Sequence, residues 1–388
     1  MIEDFPEYEL TFEPPLAFHH LSGGLALLVD ANRLAWLLSP GSGSPLLFSI
    51  RPTTPILSLF DEQPSLRILG RTRFQHANEM NDPVSANFAI AALTADNQCL
   101  ANSQGQHWSG IATALHQAER DSDARMARRV AGQIRLCLAL LEKLSIAYRT
   151  VLSIATQKPT LTADVSVTSD KYSHWLGSEY RSCLNELYSL RDATLVATYR
   201  LRFGRSDPFS MKRIKALALG TADGIGHLIA GAMFSKEGDL LIDHMSLYRS
   251  IALHCLGATN PVVDDIYRLR TSAGPYGEIP YLVYPLYDDI ERMRDIEQGS
   301  SKGLFERADR AEIIRFLSLP QHRDALEFCY DCFVRLLRLC EALALEIAIE
   351  PKLITLTDDD ILEATLTDAD GKVTRVKRDE KTGKLVEY

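Results

Sequence analysis

Several groups of residues in this chain have types and spacings capable of chemistry. The segment LALGTADGIGHLIAGAM holds Gly220, Gly224, Gly226 and Gly231 around Asp223 and His227. Glycines let backbone amides approach a phosphate, yet a P-loop also needs a Lys-Ser/Thr pair after a strand, and a dinucleotide loop needs G-x-G-x-x-G after one. Neither pattern is present, and close helix packing at small residues accounts for the glycines. On a helix, Asp223 and His227 would stand at i and i+4 on one face, a spacing that suits a ligand pair or a hydrogen-bonded acid–base pair. Asp243 and His244 are the next such groups. A metal wants three or four converging ligands, so only folding that brings His227 to His244 would assemble a site.

Two stretches 24 residues apart share the form DDIxRxR: Asp264-Asp265-Ile266 followed by Arg268 and Arg270, and Asp288-Asp289-Ile290 followed by Arg292 and Arg294. Aspartate pairs on facing helices hold magnesium and a diphosphate in all-α isoprenoid synthases, but there the motif is DDxxD, and here the third carboxylate is replaced by arginine. The plainer expectation is helix-start aspartates on the dipole with i, i+3 or i, i+4 partners. Between them lies TSAGPYGEIPYLVYP, whose Tyr276, Tyr281 and Tyr284 suit a loop that contacts a ligand or partner. Cys329 and Cys332 form a CxxC without a second ligand pair or a preceding strand, inside an apolar helical pattern, so they read as core thiols.

Arg200, Arg202, Arg205, Lys212, Arg213 and Lys215 oppose a single Asp207. With Ser206-Asp207-Pro208 as a helix start, they are a candidate contact for phosphate or nucleic acid. No helix-turn-helix, zinc-finger, RRM or KH signature accompanies them. A solvated face or a dock for an acidic protein explains the strip as well.

Proline maps the elements that must position these groups, because it lacks an amide proton and clashes with the preceding helical turn. Nine of the 17 prolines fall in the first 83 residues. There, short apolar runs (Tyr8 to Phe12, Leu25 to Val29, Leu34 to Leu38, Leu46 to Ile50, Leu66 to Leu69) alternate with turn chemistry and predict a small antiparallel sheet over residues 7–72. A helical body is expected from Asp82 and Pro83 onward. From Asp121, the residues Val130, Ile134, Cys137, Leu141, Leu144, Tyr148 and Val151 recur at steps of four and three. Leu176 to Leu190 and Leu326 to Ile347 repeat that seam.

Long helices over about 121–158, 169–204 and 321–349 are therefore expected to pack as a bundle, with shorter helices over roughly 208–318. TADVSVT, before the second of them, is a possible short strand. Past Pro351 the alternation around the turns DADGK and EKTGK predicts a three-stranded meander. The fold class expected is α+β, mainly α: a β-rich module over 1–80, a helical body over 81–350 and a β meander over 351–388.

Composition limits function further. The 388 residues are 46% apolar and 24% charged with a net charge of −9, which excludes disordered, collagen-like and strongly basic nucleic-acid-coating chains. The acidic start MIEDFPEYEL is not an export signal, and no apolar run approaches a bilayer span. Seven cysteines, mostly at apolar helical positions, suggest a reducing cytoplasm. The expectation is a non-catalytic scaffold with a protein partner or self-association, no membrane contact and no cofactor. The alternatives are a helical enzyme with a metal or haem between helices, and a binder of nucleic acid or phosphate through residues 200–215.

Overall fold

The computed structural model describes residues 16–29, 35–38, 46–48, 67–74, 87–156, 167–168, 170–204, 210–220, 241, 244–249, 266–274, 277–286, 323–352, 363–367, 373–378 and 385–387. The fold is α+β and mainly α, with an N-terminal antiparallel sheet, a helical bundle and smaller sheets. Six strands make the first sheet: β1 (Leu16–Leu21), β2 (Ala26–Val29), β3 (Ala35–Leu38), β4 (Leu46–Phe48), β5 (Ile68–Phe74) and β6 (Asn87–Ile90). Their order is β4-β3-β2-β1-β5-β6, with every neighbour antiparallel.

Among the described residues the helices with both ends defined are α1 (Leu100–Gln117), α2 (Asp121–Thr156), α3 (Lys171–Leu201), α4 (Met211–Gly220) and α5 (Ala325–Ile347). The local chemistry that starts and stops them is explicit. Glu119 takes a positive φ of 59° after α1, with its N–H on the His116 carbonyl and that of Arg120 on the Leu115 carbonyl, so α2 begins at Asp121 as the sequence predicts. Asp170 caps α3, accepting the N–H groups of Tyr172 at 2.8 Å and Ser173 at 3.1 Å, while Ser173 Oγ closes the box on the Asp170 amide.

The seams are buried as their periodicity requires. Every seam residue of α2 from Val130 to Val151 is at most 1% exposed, and those of α3 and α5 are buried too. α2 packs against α1 and α3, and α5 packs against α3, α1 and α2. The stripe on α2 is narrower than its apolar residues suggest, for Leu136 is 43% exposed.

Three expectations are corrected. Asp82 and Pro83 lie outside the described residues; Asn87–Ile90 completes the sheet as β6, past the expected boundary at residue 80, and the first helix among the described residues starts at Leu100. A segment as short as Asn87–Ile90 does not distinguish strand from helix. Here the pairing decides: Phe88 packs over Gly70, where a Cβ would lie 2.5 Å from its ring. Second, β1 with its paired histidines was not among the expected strands, yet it lies between β2 and β5.

Third, the segment expected to be short helices contains a hairpin. β8 (Tyr267–Gly274) pairs with β9 (Gly277–Val283) along its length, and β7 (Val167–Thr168), in the TADVSVT stretch, adds to β8. The first DDIxRxR stretch is therefore strand from Tyr267, and the tyrosine-rich stretch is a hairpin instead of a loop. β10 (Pro285–Leu286) pairs with β11 (Arg323–Asp324) just before α5. At the end of the chain β12 (Glu363–Thr367), β13 (Val373–Arg378) and β14 (Leu385–Glu387) form the expected meander as a sheet of their own.

The turn Ser22–Gly24 joins these layers by contacting α2, β9 and α5. Gly24 has φ of 81°, and a Cβ there would lie 2.8 Å from the Tyr148 carbonyl carbon and oxygen. Gly24→Ala combines a left-handed backbone with a clash against helix backbone and should cost more than about 2 kcal/mol. Gly132→Ala, in exposed α2 with nothing within 4 Å, should instead stabilise by about 0.5–1 kcal/mol. Urea denaturation of both variants measures the contrast.

Candidate functional site

The densest convergence of polar side chains lies where the first sheet meets α2. Glu142, Ser145 and Arg149 stand at i, i+3 and i+7, one helical face that the apolar seam leaves polar. Opposite them β1 presents Phe18 and His20, and β5 presents Thr72, which pairs with Phe18 across the ladder. His20 Nδ1 lies 3.0 Å from Ser145 Oγ and Nε2 lies 2.9 Å from Thr72 Oγ1, while Thr72 Oγ1 donates to Glu142 Oε1 at 3.3 Å.

That last bond sets the direction of the chain. With its proton spent on Glu142, Thr72 accepts from Nε2–H, and Nδ1 is left as the acceptor for the Ser145 hydroxyl. The His20 ring meets Phe18 and Phe88 edge-on, each at 5.0 Å. Burial, then Arg149, then His19 hold the His20 imidazole down to about 3, and burial followed by Arg71 holds His19 at about 4. Burial raises the Glu142 carboxyl, against its Thr72 bond and Arg149.

A hydroxyl on an imidazole that leads on to a carboxylate is the bonding pattern of an activated nucleophile. Here Ser145 is 4% exposed and His20 3%, and an imidazole held near 3 is a poor general base at neutral pH. What the arrangement does is tie strand to helix, satisfying buried polar groups that would otherwise cost about 1–3 kcal/mol each.

A second tie uses Tyr148, three residues after Ser145 on α2. Tyr148 Oη donates to Asp324 Oδ2 at 2.9 Å, and the same oxygen accepts the Tyr284 amide at 3.0 Å. Asp324 Oδ1 caps α5 through the amides of Leu326 and Glu327. Burial and the neighbouring Glu327 push the Asp324 carboxyl up to about 7 against the pull of these donors.

The residues singled out from sequence fare differently. Asp223, His227, Asp243, Asp264, Asp265, Asp288, Asp289, Arg205 and Tyr276 lie outside the described residues, as does the Lys215 side chain. His244 Nδ1 accepts from Arg323 Nη1 at 2.8 Å. No group of three or more potential metal ligands occurs among the described residues. Arg200 donates to Asp123 at 3.1 Å, so this member of the basic strip already has a counter-charge at the start of α2. Arg202, Lys212 and Arg213 are exposed, and α4 starts at Met211, where Ser210 Oγ accepts the Arg213 amide.

Tyr284 is buried, its ring 5.8 Å from that of Tyr180, and Tyr281 is partly buried against the Gly23 turn, so neither stands on an open loop. Cys329 and Cys332 are fully buried within α5, and burial pushes the Cys329 thiol well up, as core thiols require. The sequence reading missed His20, Thr72, Glu142, Ser145, Arg149 and Asp324. Two signals were legible: adjacent histidines within an apolar run, and Asp324 three residues before Glu327, a helix-start pattern.

The chain matches no family model, no curated protein and no solved structure.

The two ties oppose each other in acid. Both histidines have folded pKa values below the ordinary 6.5, so their stabilisation is complete above pH 6.5 and is lost as pH falls toward about 4 and about 3. Asp324 is raised above 3.8, so its contribution is complete below 3.8 and is lost as pH rises toward about 7. The difference between wild type and His20→Gln isolates one of them. Between about pH 7 and about pH 5, wild type should lose about 2 kcal/mol more than the variant in urea denaturation.

Proposed function

We propose that this chain is a non-catalytic interaction subunit of a larger protein assembly, working in a reducing cytoplasm. The observation that carries the reading is the terminal meander. Its outer strands β12 and β14 each pair on one side only among the described residues, leaving two rows of backbone donors and acceptors for another chain. The converging polar groups inside the molecule support the same reading, because they are spent on joining elements. Arg200 is engaged by Asp123, which weakens the case for a continuous basic nucleic-acid contact. Six cysteines among the described residues carry free thiols, in keeping with a reducing compartment. No helix among those residues is long and apolar enough to cross a membrane.

The full chain, used as bait in an extract of its native host, should retain a fixed set of proteins or elute as a defined oligomer in light scattering. Val386→Pro removes an amide proton from β14, and retention should fall about tenfold with the far-ultraviolet circular dichroism unchanged. A strictly monomeric chain that retains nothing reproducibly overturns the proposal, and equal retention by the variant removes β14 from it.

A further inference from the structure

Arg149 stands apart from the other groups at the sheet–helix junction. Its guanidinium carbon sits 4.4 Å from the centroid of the Phe18 ring, and its electrostatic neighbour of opposite sign is Glu142. It makes no hydrogen bond or ion pair with another side chain or backbone group among the described residues. The nearby polar groups are already engaged, with Glu142 accepting from Thr72 and the Ser145 hydroxyl bound to His20. Burial holds the guanidinium down to about 10, with Glu142 opposing the shift. Five donors on a partly buried cation above an aromatic face thus have no acceptor among the described residues, and the side chain still reaches the surface.

We propose that Arg149 anchors a binding site for a small carboxylate, with Phe18 supporting the guanidinium and Glu142 restricting the charge the site accepts. A guanidinium fork matches the two oxygens of a carboxylate in one plane. The guanidinium supplies one positive charge with the Glu142 carboxyl beside it, so a monoanion meets less repulsion there than a doubly charged phosphate. The site is independent of the interaction surface proposed above.

The test uses the full chain at neutral pH with sodium acetate, sodium phosphate or sodium chloride at matched ionic strength. Thermal unfolding and the Arg149 Nε–Hε resonance are followed. Acetate should raise the melting temperature saturably beyond chloride and shift that resonance, with phosphate no more effective than chloride. Glu142→Gln should tighten acetate binding about five- to tenfold by removing the nearby carboxylate. Arg149→Met, which still covers Phe18, should abolish the response. If that variant does not fold, the wild-type resonance and Glu142→Gln decide the matter. Equal effects of acetate and chloride, weaker binding in Glu142→Gln, or a response that survives in Arg149→Met overturn the proposal. A phosphate effect larger than that of acetate overturns the assignment to carboxylates.

Discussion

A helix of 36 residues with a continuous apolar seam cannot cover that seam with one neighbour, and the architecture follows from this constraint on α2. Its seam is closed by α1, α3 and α5, and the turn Ser22–Gly24 of the first sheet lies across its backbone at Tyr148. Each contact removes apolar surface from water at roughly 25 cal/mol per Å². Burial on this scale brings sheet and helices into one core, which extends from Leu21 through the α2 seam to Ile347.

Apolar burial has no direction, so other interactions must set how the layers meet. Two polar ties on successive turns of α2 do this. One fixes β1 and β5 through His20 and Thr72, and the other fixes the start of α5 and the end of β9 through Asp324. The buried imidazole stays neutral and the buried carboxyl is pushed toward neutrality, which lowers the cost of placing ionisable groups there. The glycines of the turn give the same junction its close approach. Gly23 admits Tyr281 from the hairpin and Gly24 admits the helix backbone, so hairpin, sheet and helix share one contact region.

This use of polar groups bears on function. Ser145, His20, Thr72 and Glu142 have the bonding order of a catalytic relay, yet they are closed in and their imidazole is tuned away from proton transfer. Among the described residues, strand edges in the terminal meander and the Arg149 guanidinium, whose donors have no acceptor there, are of another kind. The two proposed binding roles rest on these features.

The long helices, their seams, the Asp121 and Asp170 starts, the core nature of Cys329 and Cys332, and the terminal meander were all legible in the residues. Each rests on a local periodicity or a cap, physics that operates within a few turns of chain. β6, the hairpin of β8 and β9 and the polar ties were not. Asn87–Ile90 is too short to declare its type, and Tyr267–Gly274 carries charged residues that also suit a helix, so the choice fell to partners distant in the chain. His20 and Ser145 are 125 residues apart, and Tyr148 and Asp324 are 176 apart. No spacing rule couples groups so separated. Only packing the sheet against α2 removes the water that would otherwise serve them, and that loss of solvent makes them partners.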